Sequence, residues 1–137
     1  MRLKSTSQYA IRILYYISTI KDERLCSATE LSDKLNIPYK FLTKIMTQLV
    51  KSEFIDSIRG REGGYQLSRP ASQITLKDIL DTFNECEDEN SCILGIGLCD
   101  NKQKCALHDQ WIEPKGMIKK MFENTTLETL TTDDFKL

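Results

Sequence analysis

Histidine occurs once in this chain, tryptophan once and proline three times. One histidine excludes a pair of imidazole ligands, and no nucleophile stands beside a base at the spacing a hydrolase needs. The sequence also has no glycine-rich phosphate loop. Together these absences argue against an enzyme. No apolar run approaches the length of a membrane span, so no membrane partner is expected. The opening residues, Met1-Arg2-Leu3-Lys4, show neither an uncharged apolar stretch nor a small-residue cleavage site, so no secretory signal is expected. The expectation is a cytoplasmic protein whose thiols stay reduced. Its five cysteines then point to metal or redox chemistry before structural disulfides. The close Cys-x2-Cys knuckles usual in structural zinc sites are also missing.

What is present fits one domain with an appendage. The 137 residues are 40% hydrophobic and 28% charged, enough apolar content for a real core. The net charge of −1 conceals an asymmetry: residues 1–66 balance at +4 and residues 67–137 at −5. A basic front half suits a polyanion; the acidic back half does not.

Helical spacing begins early. Ser5-Thr6-Ser7-Gln8 matches a capping box, followed by Tyr9, Ala10, Ile13, Leu14, Ile17 and Ile20 at helical intervals. Ser27-Ala28-Thr29-Glu30 is a second box, opening a helix to about Leu35. Asn36-Ile37-Pro38 breaks it, and a third helix is expected from Tyr39 to about Ser52, with Leu42, Ile45, Leu49 and Val50 on one stripe. Its other face carries Tyr39, Lys40, Thr43, Lys44, Thr47 and Lys51. Two short helices across a tight break form a helix-turn-helix pattern. Phe54 to Ser68 then reads as a β-hairpin with the basic, glycine-rich tip Arg59-Gly60-Arg61-Glu62-Gly63-Gly64. Thr75-Leu76-Lys77-Asp78 caps a further helix to about Asn84.

The fold class expected is mainly α with a small β-hairpin: a winged helix-turn-helix domain plus a long C-terminal dimerisation helix. Residues 1–84 would form the DNA-binding domain, 85–105 a cysteine-rich loop after an acidic linker, 106–124 the dimerisation helix and 125–137 a tail. That tail is expected to hold one turn around Leu127 and Leu130. Leu107, Trp111, Ile118 and Phe122 give the long helix more apolar surface than a short tail can bury, which predicts a homodimer. Pro114 should kink this helix or delay its start.

The cysteine segment, Cys92-x6-Cys99-x5-Cys105-x2-His108, holds three thiols and the single imidazole within seventeen residues. Its gaps let a loop wrap something larger than one ion. Ile93-Leu94-Gly95-Ile96-Gly97-Leu98 is read as apolar cover, with glycines for close backbone approach. His108 follows Cys105 by about one helical turn, so both can face one object. Cys26 reads as a small buried hydrophobe. Cys86, in the acidic stretch, is left out of the ligand set, although it replaces His108 if the linker folds back.

Winged helix, "RGREGGYQL" wing, "ITLKDIL" helix and the three-cysteine segment, in this order, resemble the IscR/NsrR/CymR-type regulators, the Rrf family of bacterial transcription factors. The resemblance covers nearly the whole chain. It implies a homodimer on a palindromic operator in double-stranded DNA, with the second helix of each helix-turn-helix in a major groove and each wing in a minor groove. On that helix Lys40 and Lys44 pair with phosphates, and Thr43 and Thr47 reach base edges. The family carries an aromatic residue where Phe41 stands. Arg59 matches the wing arginine inserted into narrow minor grooves, and Arg61 stands where some members have proline.

Most members bind an iron–sulfur cluster with the three cysteines. IscR-type members complete a [2Fe–2S] site with a histidine at the position of His108. NsrR-type members use an acidic residue of the partner's first helix on a [4Fe–4S] cluster, and Gln8 stands at that position here. The neutral amide of Gln8 favours Cys92, Cys99, Cys105 and His108 on [2Fe–2S] over [4Fe–4S], though the six-residue first gap departs from the IscR spacing. One alternative is a cluster-free regulator of the CymR type, controlled by thiol redox or a partner enzyme. Another is a zinc- or iron-storing module without DNA binding.

Overall fold

The first fifteen-residue helix carries apolar side chains around more than half its circumference, and the other elements collect on it. In the computed structural model, which describes residues 2–85 and 90–130, the order is α1 (Ser5–Thr19), α2 (Ala28–Leu35), α3 (Tyr39–Lys51), β1 (Ile55–Ile58), β2 (Gly64–Leu67), a 3-10 turn (Ala71–Gln73), α4 (Leu76–Thr82) and α5 (His108–Asn124). Ala10, Ile13, Leu14 and Ile17 of α1 meet Leu31 and Leu35 of α2, and Leu42, Met46 and Leu49 of α3. Phe54, Ile55, Ile74 and Ile79 complete this core. The mainly α architecture with one two-stranded antiparallel sheet is as expected, and its register pairs Ile55 with Leu67 and Ile58 with Gly64.

The three caps differ. Thr75 and Asp78 form a full capping box on α4: the Asp78 N–H donates to Thr75 Oγ1 (3.1 Å) and the Thr75 N–H to Asp78 Oδ2 (2.9 Å). At α2 only half the box forms. Ser27 accepts from the Glu30 N–H, but the Glu30 carboxylate is drawn to Arg24 (2.8 Å) and to the Tyr16 hydroxyl (3.0 Å). At α1 the expected box is absent. Ser5 is already helical, Lys4 is the cap residue without a side-chain bond, and Gln8 turns back to donate from Nε2 to the Leu3 carbonyl (2.8 Å).

Asn36 ends α2 in the left-handed conformation, with the Ile37 N–H returned to the Ser32 carbonyl. That closes the turn into α3. The wing is anchored through Cys26, whose backbone exchanges two hydrogen bonds with Tyr65 (3.0 and 2.8 Å). A Cβ on Gly64 would lie 2.8 Å from the Cys26 carbonyl oxygen, so only glycine lets β2 approach there.

α5 runs as one helix through Pro114, beginning at His108 rather than Ala106. The proline has no N–H to return to the Gln110 carbonyl, so the ladder lacks that rung. At the C-terminal end Phe122 packs on the core. The chain then turns back. The Leu76 N–H bonds to the Thr125 carbonyl (2.8 Å) and the Leu127 N–H to the Ile74 carbonyl (3.0 Å), which buries Leu127 in the winged-helix core. The expected turn at Leu127 is present. Among the described residues no helix is long and apolar enough to cross a membrane.

Candidate functional site

The burial of α3 separates its two faces cleanly. Leu42, Ile45, Met46 and Leu49 are inside, while Lys40, Phe41, Lys44 and Thr47 are exposed and Thr43 is partly so. Tyr39 and Phe41 are 54% and 58% exposed, a high value for aromatic side chains beside a well-filled core. Thr43 Oγ1 donates to the Lys40 carbonyl (3.0 Å) and Thr47 Oγ1 to the Thr43 carbonyl (2.9 Å). Their hydroxyl protons are therefore committed to the helix, leaving lone pairs and methyl groups to face outward. A groove of about 410 Å³ runs between α1 and α3, lined by Ser5, Thr6, Tyr9, Phe41, Lys44 and Ile45. It sets the uncapped first turn of α1 beside Lys44.

Arg59 and Arg61 are exposed at the wing tip, where Gly63 donates to the Gly60 carbonyl (3.1 Å) to tighten the turn. Among the described residues no carboxylate forms an ion pair with Lys40, Lys44, Arg59 or Arg61. Arg24 is the contrast, held by both oxygens of Glu30. That contact carries the Glu30 carboxyl down to about 2.

The cysteine segment folds as a small turn in front of α5. Ser91 bridges to Leu98, and the Cys92 N–H reaches the Gly97 carbonyl (3.0 Å). Gly95 and Gly97 take φ of +73° and +64° with nothing within 4 Å of an added Cβ. Their positive φ serves the turn's handedness. Ile93, Leu94, Ile96 and Leu98 are 45–68% exposed in the single chain.

Of the four expected ligands, two are in contact. Cys99 Sγ lies 3.7 Å from His108 Nδ1, and His108 is 3% exposed. The Cys92 and Cys105 thiols shift each other's titration. The backbone N–H groups of Leu94, Ile96 and Gly95, together with Cys105, hold the Cys92 thiol below its usual range. Cys92 raises the Cys105 thiol, and the field of Cys99 adds to the rise. No group of three or more His, Cys, Asp or Glu side chains that could hold a metal ion forms among the described residues. A single ion with metal–sulfur bonds of ~2.3 Å needs a tighter gathering than these four residues make. A two-iron cluster takes its ligands in pairs, two on each iron, and soft thiolates with an imidazole match that chemistry.

Gln8 faces its own Leu3 carbonyl. Cys26 is fully buried, and burial first, then Glu30, pushes its thiol up to about 12, as befits a packed hydrophobe. Cys86 lies outside the described residues. Sequence reasoning missed Asn101, whose Oδ1 sits 3.1 Å from His108 Nε2. Nothing in its spacing marks it.

A helix-turn-helix with an anchored basic wing defines a winged-helix transcriptional regulator. The comparisons agree. A family model described as "Rrf2: Iron-dependent Transcriptional regulator" matches residues 3–133. A protein of Aquifex aeolicus described as an HTH-type transcriptional regulator is 31% identical over 95% of this chain and 91% of its own length. The HTH-type transcriptional regulator IscR of Vibrio parahaemolyticus is 26% identical over 98% of this chain and 79% of its own. The solved structure of CymR, the global cysteine regulator of B. subtilis, superposes with a TM-score of 0.76 at 22% identity, covering 93% of this chain and 94% of that one. The chain belongs to the Rrf2 family of transcriptional regulators.

Proposed function

We propose that this regulator acts as a homodimeric repressor on a palindromic operator, and that a [2Fe–2S] cluster held by Cys92, Cys99, Cys105 and His108 sets its affinity for DNA. The observation that carries this reading is the placement of the only imidazole: buried at the head of α5, with Nδ1 turned to Cys99 Sγ. The lowered Cys92 thiol supports it, because the backbone N–H groups near its sulfur, that of Leu94 first, favour the thiolate, the form that ligates iron. The engagement of Gln8 by Leu3 also favours two irons over a four-iron site completed from the first helix.

When bound, the cluster supplies a group whose assembly and redox state report iron–sulfur supply, oxidants or nitric oxide. The chain's own part is mechanical. His108 is at once a ligand and the first residue of α5, so its position is shared by the cysteine turn and the dimer helix. Lys40 and Lys44 neutralise phosphates, Phe41 with Thr43 and Thr47 touches base edges, and Arg59 enters the minor groove with Arg61 beside it. Since the two threonine hydroxyls donate inward, they read bases as acceptors or through their methyl groups.

A second reading has its own observation: the fold superposes on CymR over nearly the whole chain. Regulation by thiol redox or a partner enzyme then replaces the cluster. Anaerobic purification separates the two readings. Iron and acid-labile sulfide in equal amount, with visible absorption lost in Cys92→Ala, Cys99→Ala and Cys105→Ala, supports the cluster; His108→Ala should keep a cluster but lose it faster. A colourless protein with full operator affinity overturns the cluster reading in favour of the CymR type.

A further inference from the structure

We infer that Asn101 is a positioning residue for the cysteine site, fixing the tautomer and the ring orientation of His108 so that Nδ1 is the nitrogen offered as a lone pair. The ligation part of this inference rests on the cluster reading above; the tautomer part does not.

The argument starts from the ring. A neutral imidazole has one N–H and one lone pair, and which nitrogen carries the proton is decided by what each nitrogen meets. Here both meet something, in a ring that is 3% exposed. Nε2 lies 3.1 Å from Asn101 Oδ1, and Nδ1 lies 3.7 Å from Cys99 Sγ. An amide oxygen only accepts, so Nε2 must donate and Nδ1 is left bare on the Cys99 side. The opposite amide orientation would spend the ring's lone pair on the Asn101 NH2 group and aim an N–H at the sulfur.

Asn101 is itself held by its neighbours. Asp100 Oδ1 accepts from the N–H groups of both Lys102 and Gln103, each at 2.7 Å, which closes the turn on which Asn101 sits. Across the segment Lys104 pairs with Asp109 at 2.8 Å, and the His108 N–H bonds to the Cys105 carbonyl at 3.1 Å. Both ends of the Asn101–His108 contact are thus fixed by bonds that do not involve the ring. A ligating histidine generally donates its other N–H to an oxygen that orients it and raises its basicity. Asn101 supplies that oxygen from within the same segment.

The single histidine makes the test clean, because [15N]histidine labelling gives one ring and no overlap. In metal-free protein, at a pH where the ring is neutral, wild type should show one tautomer, Nε2–H, with a proton slow to exchange with water. In Asn101→Ala that proton should exchange at least ~10-fold faster and both tautomers should be sampled. Asn101→Asp keeps the accepting oxygen and should restore the single tautomer. An Nδ1–H ring in wild type, or an Asn101→Ala ring identical to it, overturns the inference.

A second arm reads the loaded protein. Asn101→Ala should take up iron and sulfide as wild type does but lose them about tenfold faster, with Asn101→Asp close to wild type. Loss of uptake in both variants would also count against a positioning role. If wild type binds no iron, the cluster reading falls. The metal-free spectra then decide on Asn101 by themselves.

Discussion

Arg24 and Arg59 sit at opposite ends of what a charge does in this chain. Arg24 is clamped by both oxygens of Glu30, and the Tyr16 hydroxyl donates to the same carboxylate. Its partner's carboxyl, held chiefly by that guanidinium, falls to about 2 from its ordinary 4.5. A carboxyl lowered on folding stabilises the fold above its ordinary range and loses that contribution as the pH drops toward 2. Denaturant titrations between pH 5 and about pH 2 should therefore show wild type losing stability more steeply than Glu30→Gln. Equal slopes would mean the clamp contributes nothing. Arg59 has no such partner and nothing in the core to hold. Arg59→Ala should leave the denaturation midpoint unchanged and cost about 1–3 kcal/mol of operator binding. Lys44→Ala should weaken operator and random duplex alike and lower the salt slope by about one. Titrations of both variants against both duplexes check this, and full operator affinity in Arg59→Ala removes the minor-groove role.

Among the elements, those set by neighbours in sequence were legible and those set by distant neighbours were not. The Thr75–Asp78 box, the break at Asn36-Ile37-Pro38, and the spacing of Leu42, Ile45 and Leu49 are local, and each element stands where its spacing puts it. The Ser5 box failed because the Gln8 amide finds the Leu3 carbonyl, and the Glu30 half-box failed because Arg24 and Tyr16 compete for its carboxylate. Neither competitor lies inside its four-residue motif. The return of the tail to pair with Ile74 and Leu76 left no mark in periodicity, nor did the exposure of Ile93, Leu94, Ile96 and Leu98. At the site, the candidate ligands lie in a legible segment, but Asn101 is one polar residue among several in a loop. Two substitutions test the long-range contacts. Gly64→Ala places a methyl against the Cys26 carbonyl and should cost about 1–3 kcal/mol, mostly by lifting the wing. Leu127→Ala opens a cavity in a site 1% exposed and should cost about 2–5 kcal/mol. Urea midpoints measure both, and a neutral Leu127→Ala would show that the tail does not share the core.

At the scale of the whole molecule, the described residues of a single copy leave apolar side chains of the C-terminal helix exposed. Leu107 at the cap of α5 and Ile112, Met117 and Met121 within it are 37–65% exposed, while Phe122 packs on the core. Of the residues expected from the sequence at an interface, Phe122 packs against this chain's own core, and Trp111 and Ile118 are partly exposed. Ile112→Lys with Met117→Lys should convert a dimer to a monomer by light scattering at micromolar concentration and abolish binding to a two-half-site operator, whose halves lie about 34–36 Å apart. A wild-type monomer with intact specific binding would sink the dimer. The backbone bonds of Thr125 and Leu127 to the segment before α4 have a further consequence. They pin one end of a 17-residue rod, about 25 Å long, to the unit that carries α3 and the wing, and leave the cysteine turn at the other end. A pinned rod gears small motions: a tilt of about 5° at the pivot moves the far end by roughly 2 Å. Gearing works in both directions. If occupancy of the cysteine turn re-aims two reading heads, then DNA that fixes the reading heads must strengthen or weaken the grip of the cysteine turn by the same factor.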